Sequence, residues 1–116
     1  MKRQIAEQRG RKGEDRAAEW LFRQGWEILA QRVRTPVGEI DLIARHEALV
    51  AFIEVKWRAR AGDLGEAIDE YRLRRVAAAA ECVAHEYAKP GDDLRIDVIL
   101  LAPRPPPRHI VNAWQP

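Results

Sequence analysis

The chain reads as an α/β sandwich, a mixed sheet held between two helices, on three observations. From Gly38 to Arg58, two runs rich in β-branched and aliphatic residues flank a polar break at His46-Glu47, the pattern of an antiparallel hairpin. Helical spacing of apolar residues appears on either side of that hairpin, between Glu14 and Gln24 and again from about Gly65 to Ala88. Leu94 to Leu101 is a nearly continuous aliphatic run broken only by Asp97, which suits a strand covered on both faces. The order is therefore helix, three strands in antiparallel succession, helix, strand and a short last strand.

Residues 1–12 are polar and basic and read as a flexible N-terminal arm, with a single domain over residues 13–116. Gly10 and Gly13 bracket a helix start, Ala17, Ala18, Trp20 and Leu21 follow helical spacing, and Gly25 stops the helix. Glu14 falls on the stripe that faces the core, either as an acid complementing the helix dipole or as a group pointing across the sheet. Trp26 to Val33 reads as the first strand, and Thr35-Pro36 with Gly38 turns it into the hairpin. After Arg60 an Ala61-Gly62-Asp63 loop leads into the second helix, whose stripe is Ile68, Tyr71, Val76, Ala79, Ala80, Val83 and Tyr87. Lys89-Pro90-Gly91 ends that helix. Pro103 to Pro107 reads as a stiff connector into a short strand, His109–Ala113, with Trp114 packing down the end.

A length of 116 residues allows one domain with its own core, and 47% hydrophobic with 33% charged residues places it among globular rather than disordered chains. No apolar run approaches the roughly 20 residues that span a bilayer, and the start lacks the apolar core of a signal peptide, so a cytoplasmic location is expected. The single cysteine, Cys82, excludes an intramolecular disulfide and a cysteine-rich zinc site, and reads as a small buried helix residue. Net charge is only +2. Its distribution says more, because Lys56, Arg58 and Arg60 follow the second hairpin strand and Arg72, Arg74 and Arg75 cluster on the second helix, in positions suited to phosphate.

Side chains alternate along a strand, so Glu39, Asp41 and Ile43 share one face of the first hairpin strand, with Ile40, Leu42 and Ala44 on the other. On the second strand Phe52, Glu54, Lys56 and Arg58 share a face. A two-residue turn at residues 46–47 makes Asp41 and Glu54 diagonal neighbours, whereas a four-residue turn at residues 46–49 makes them direct partners. Acids among strands this apolar need a partner, which a divalent cation on Asp41 and Glu54, with Lys56 beside it, supplies. A solvated face carrying a cross-strand salt bridge is the other reading.

Asp41, twelve intervening residues, then Glu54-Val55-Lys56 is the PD-(D/E)XK nuclease pattern. Gly13-Glu14 with Ala17, Ala18 and Leu21, Gly38-Glu39-Ile40-Asp41-Leu42-Ile43-Ala44, Phe52-Ile53-Glu54-Val55-Lys56 with Arg58, Arg95-Ile96-Asp97-Val98 and Asn112-Ala113-Trp114 resemble the YraN-like family of small bacterial predicted endonucleases. That family is similar to the archaeal Holliday junction resolvases, and the resemblance covers roughly residues 10–114. It implies a restriction-endonuclease-like αβββαβ core, with Asp41 and Glu54 as metal ligands, Lys56 as catalytic lysine and Glu14 as an additional acid. Where relatives often carry lysine in the second helix, this chain has Arg72, which keeps the charge and cannot act as a base.

The expectation is a metal-dependent endonuclease for branched or structured DNA, using Mg2+ or Mn2+ held by Asp41, Glu54 and the Val55 carbonyl, and no other cofactor. Glu39 is a further candidate acid, and Arg58, Arg72 and Arg75 are candidate DNA contacts. A nucleic-acid-binding module of the same fold, with little or no cleavage, is the alternative. No stacking platform is evident, and Trp20, Trp26, Trp57 and Trp114 read as core or interface residues, which leaves a homodimer open.

Overall fold

The structure, a computed structural model, describes residues 2–57, 69–104 and 106–115, with side chains from residue 13 onward. Its elements are α1 (Lys2–Arg23), β1 (Glu27–Thr35), β2 (Gly38–His46), β3 (Leu49–Trp57), α2 (Glu70–Tyr87), β4 (Asp93–Leu101) and β5 (Arg108–Ile110). The five strands form one sheet in the order β1-β2-β3-β4-β5. Only β3 and β4 run parallel, joined through α2; the other neighbours are antiparallel. The fold is the mixed α/β arrangement expected, compatible with a restriction-endonuclease-like core.

Each helix covers one face of the sheet. Leu73, Val76, Ala79, Ala80 and Val83 of α2 recur at helical spacing and pack on Ile43, Val50, Phe52, Ile96, Val98 and Leu100. Ala17, Ala18 and Leu21 of α1 pack on Leu42, Ala44, Ala51, Ile53, Ile99 and Leu101 on the opposite face. Burying β4 between both layers explains its almost unbroken aliphatic run.

Several elements differ from the sequence expectation. The helix α1 extends back to Lys2 instead of starting near Glu14, and Gly13 lies inside it. Glycine costs an exposed helix interior about 1 kcal/mol. At position 13 it is required, because an added Cβ would stand 2.3 Å from Nε1 of Trp57, closer than packed atoms allow. The helix α2 begins at Glu70, capped by Asp69, whose carboxylate accepts the N–H of Arg72 at 3.2 Å. Expected helical residues 65–68, including Ile68, lie outside the described residues, as does the loop before them. Tyr71 is 68% exposed rather than part of the stripe, Leu73 takes the buried place, and Cys82 is exposed. A stripe through Leu73, Val76, Ala80 and Val83 turns both away from the sheet. The last strand is Arg108–Ile110, shorter than expected, with Trp114 packed on the α2-side core as anticipated.

The hairpin turn is Glu47-Ala48, flanked by the pair His46 and Leu49, with Glu47 in the left-handed conformation of a two-residue hairpin loop. Neither expected turn position is right, but the register equals that of the longer option. Continued outward, it sets Asp41 opposite Glu54.

Candidate active site

Regular pairing of β2 with β3 ends at Leu42 and Ile53, one residue short of Asp41 and Glu54. The side-chain alternation of β2 breaks at the same place. Ile40 lies in the α2-side core while Leu42 lies in the α1-side core, although alternation predicts one face for both. On the other neighbour, β1 pairs Gln31 with Leu42 and Val33 with Ile40, and the residue between them, Arg32, has φ of +52°. A left-handed arginine costs roughly 1–2 kcal/mol and persists where its surroundings over-determine it. Strands β1 and β2 thus switch faces together at Arg32 and Asp41.

The distortion brings groups from both helices to Asp41. Its Oδ2 accepts the Val55 N–H at 2.8 Å, taking the place of a strand bond. From α1, the Glu14 carboxyl lies against that of Asp41 and accepts from Arg32 Nη1 at 3.1 Å. Arg32 also stands 3.7 Å from Asp15. From α2, Arg72 makes an ion pair through its Nε with Oε1 of Glu54, which is 2% exposed. Apart from this ion pair, neither Glu54 oxygen has a hydrogen-bond partner among the described residues.

Crowding buried acids shifts their protonation. Burial raises Glu14 above the ordinary glutamate value, Asp41 raises it further, and Arg32 opposes both. Burial likewise raises Asp41, against the Val55 N–H and the Arg72 charge. Glu14 and Asp41 lie in contact and both are raised, so the pair holds a proton more readily than two free carboxyls would. Burial raises Glu54, opposed first by Arg72, reinforced by Asp41 and opposed again by Lys56. The half-buried Lys56 follows Glu54 by two residues on β3 and pairs in register with Leu100.

Of the residues singled out from the sequence, Glu14, Asp41, Glu54 and Lys56 are electrostatic neighbours here. Val55 contributes its N–H to Asp41. Glu39 is exposed and 3.4 Å from Arg34, so its carboxylate raises Asp41 from a distance and does not join the cluster. Arg72 lies on Glu54 itself, Arg75 stands exposed nearby on α2, and Arg58 falls outside the described residues. Sequence reasoning missed Arg32 altogether, since nothing in Gln31-Arg32-Val33 announces a left-handed backbone.

The donor chemistry fits a hard divalent cation: carboxylate oxygens only, with two buried Glu54 oxygens lacking hydrogen bonds. Among the described residues no three His, Cys, Asp or Glu side chains stand close enough together to hold a metal, and Arg72 is paired with Glu54. No helix among them is long and apolar enough to cross a membrane.

A second polar cluster lies on the α1 side of β4. The wholly buried Asp97 accepts from Nε of Arg95 at 2.8 Å, from Nη2 of Arg95 at 2.8 Å and from the Asn112 N–H at 2.9 Å. His109 Nε2 is 2.7 Å from it. Burial alone would raise Asp97, but His109, Arg95 and Asn112 outweigh it and hold it below the ordinary aspartate value. Trp26 stacks over the Arg95 guanidinium at 5.8 Å and meets the His109 ring at 5.8 Å. Both oxygens of Asp97 are engaged, and the cluster ties β5 and the segment after it to β4.

The family model described as Uncharacterised protein family UPF0102 matches residues 13–101, a span holding Glu14, Arg32, Asp41, Glu54, Lys56 and Arg72. The chain is 69% identical to the UPF0102 protein of Erythrobacter litoralis (strain HTCC2594) over 116 residues, the whole of both chains. It is 65% identical to that of Sphingopyxis alaskensis over 116 residues, again the whole of both. With the UPF0102 protein of Rhizorhabdus wittichii identity is 51% over 113 residues, 97% of this chain and 96% of that one. The chain belongs to the UPF0102 family, the YraN-like family that its motifs resemble.

Proposed function

We propose that this protein is a metal-dependent DNA endonuclease of the PD-(D/E)XK type that hydrolyses phosphodiester bonds in branched or otherwise structured DNA. The observation that carries the reading is the cluster at the end of β2–β3 pairing. There Asp41 contacts Glu14 on one side and feels the charge of the buried Glu54 on the other, with Lys56 two residues farther along the same strand as Glu54. A salt bridge on a solvated face does not account for it, since Glu54 is 2% exposed. Three acids whose charged forms are disfavoured make a poor structural device and a good cation site.

Asp41 and Glu54, with the Val55 carbonyl as a third donor, would hold Mg2+ or Mn2+. When bound, such a cation supplies positive charge to the scissile phosphate and acidifies water. Lys56 orients the attacking water or donates to the phosphate oxygen on which charge grows, a contribution realised mostly in the transition state. Glu14, in contact with Asp41, is the additional acid of the site. Arg72, now paired with Glu54, and Arg75 would supply phosphate contacts.

One observation favours the alternative, a nucleic-acid-binding module of the same fold: the guanidinium of Arg72 already neutralises Glu54. A panel of junction, flap, duplex and single-stranded DNAs, incubated with Mg2+ and with Mn2+, separates the two. The endonuclease reading expects cleavage of at least one branched substrate that is lost with EDTA and with Asp41→Ala. Binding without cleavage across the whole panel establishes the module instead.

A further inference from the structure

Beside the acidic cluster a groove of about 560 Å3 opens between the β1–β2 turn and the first turns of α2, lined by Arg34, Pro36, Tyr71, Arg72 and Arg75. The size is that of a small-ligand cleft. Resting on the endonuclease reading, we propose that this groove is a nucleotide subsite. In it an unpaired base of the substrate stacks on Tyr71, and its flanking phosphates lie on Arg72 and Arg75.

The wall opposite α2 is built in advance. Thr35 Oγ1 accepts the N–H of Val37 at 3.2 Å and of Gly38 at 3.1 Å, and donates to the Gly38 carbonyl at 2.8 Å. A Cβ at Gly38 would come 3.1 Å from the carbonyl oxygen of Arg75, so turn and helix approach as closely as glycine permits. The acids on the groove are already engaged, Asp69 as the α2 cap and Glu39 with Arg34. Among the described residues Arg75 has no ion-pair partner, and Arg72 reaches from the groove to Glu54. A ligand with negative charge flanking a flat apolar surface matches this lining.

Tyr71 decides the class of substrate. It is 68% exposed at the edge of the groove, so its ring is accessible to a ligand there. A base inside a duplex has both faces covered by its neighbours, so only an unpaired or unstacked base offers a face to the ring. Because Arg72 links the groove to Glu54, that nucleotide adjoins the bond to be cut. Selection for branched DNA then comes from the loose base at the branch, with no base-edge contacts needed.

The test is fluorescence anisotropy in EDTA with a short labelled oligothymidylate, its duplex counterpart and a flap carrying one unpaired strand. Tyr71→Ala is expected to weaken oligothymidylate and flap binding about 5- to 150-fold, the stacking contribution of one base, with duplex binding unchanged. Tyr71→Phe is expected to retain parental affinity, which a role of the hydroxyl would not allow. Equal loss on all three DNAs, or no loss on any, overturns the subsite and leaves the endonuclease reading standing. Failure of the parent protein to bind any of the DNAs likewise overturns the subsite, and the cleavage panel with Mg2+ and Mn2+ decides the endonuclease reading separately.

Discussion

Replacing Glu54 with glutamine isolates the energetic consequence of the proposed site, because it removes the charge and keeps the shape. Glu54 is 2% exposed and neither oxygen has a hydrogen-bond partner among the described residues. A buried polar group left without hydrogen bonds costs about 1–3 kcal/mol, and a charged one more. The compensating ion pair is weak, since the Arg72 side chain is 60% exposed and solvent-screened pairs contribute about 0–1 kcal/mol. The amide keeps the buried polar atoms and sheds only the excess that the charge adds, about 1–2 kcal/mol once the weak ion pair is lost with it.

For a chain of this length such a gain raises Tm by roughly 3–10 °C. The sign with pH follows from the direction of the shift. Burial raises the folded-state value of Glu54 above its ordinary 4.5, so the native state binds the extra proton and stability falls as pH rises through the folded value. Glu14 and Asp41 shift the same way and steepen the fall. Thermal melts of parent and Glu54→Gln in EDTA across pH should therefore diverge as pH rises above the ordinary glutamate range and converge below it. A variant no more stable than the parent at alkaline pH, or a gap that persists below the ordinary carboxylate range, refutes the reasoning.

Asp97→Asn should destabilise by about 3–5 kcal/mol in urea unfolding, since it removes the buried negative charge and sets an NH2 donor against donors of Arg95, His109 or Asn112 in place of one acceptor oxygen. Because the folded value of Asp97 is depressed, the stability it contributes is present above the ordinary aspartate range and disappears as pH falls through the folded value, so parent and variant should converge only in strong acid. Arg72→Ala and Arg75→Ala should each flatten the log–log salt dependence of DNA binding by about one unit, with little dependence on sequence. An unchanged slope would make both residues a solvated helix face.

The hairpin was legible because period-2 alternation leaves few ways to arrange Asp41 and Glu54, and β4 because burial on both faces demands aliphatic residues throughout. The helix α2 was legible in kind, but its stripe was anchored on Ile68 and Tyr71, so Leu73 was overlooked and Cys82 was placed inside. The face switch at Arg32 and Asp41 could not be read, since alternation presumes a regular pleat and the switch consists in losing it. Gly13 shows the same limit. Glycine in a helical pattern looks like a boundary, and only the indole of Trp57 reveals that it answers a contact from another element. Asp97 was visible as an oddity in an apolar strand, while its partners Arg95, His109 and Asn112 become neighbours only when β5 returns beside β4.

The central claim is that the Asp41–Glu54–Lys56 cluster performs phosphodiester hydrolysis, and the single-turnover rate of Lys56→Ala tests it most directly. On the best-cleaved branched DNA, with saturating Mg2+ or Mn2+, the account predicts a rate at least about a hundredfold below the parent's, because the lysine acts chiefly on the transition state. Affinity for the same DNA should stay within a few-fold of the parent's. A Lys56→Ala protein that cleaves as fast as the parent would contradict the account.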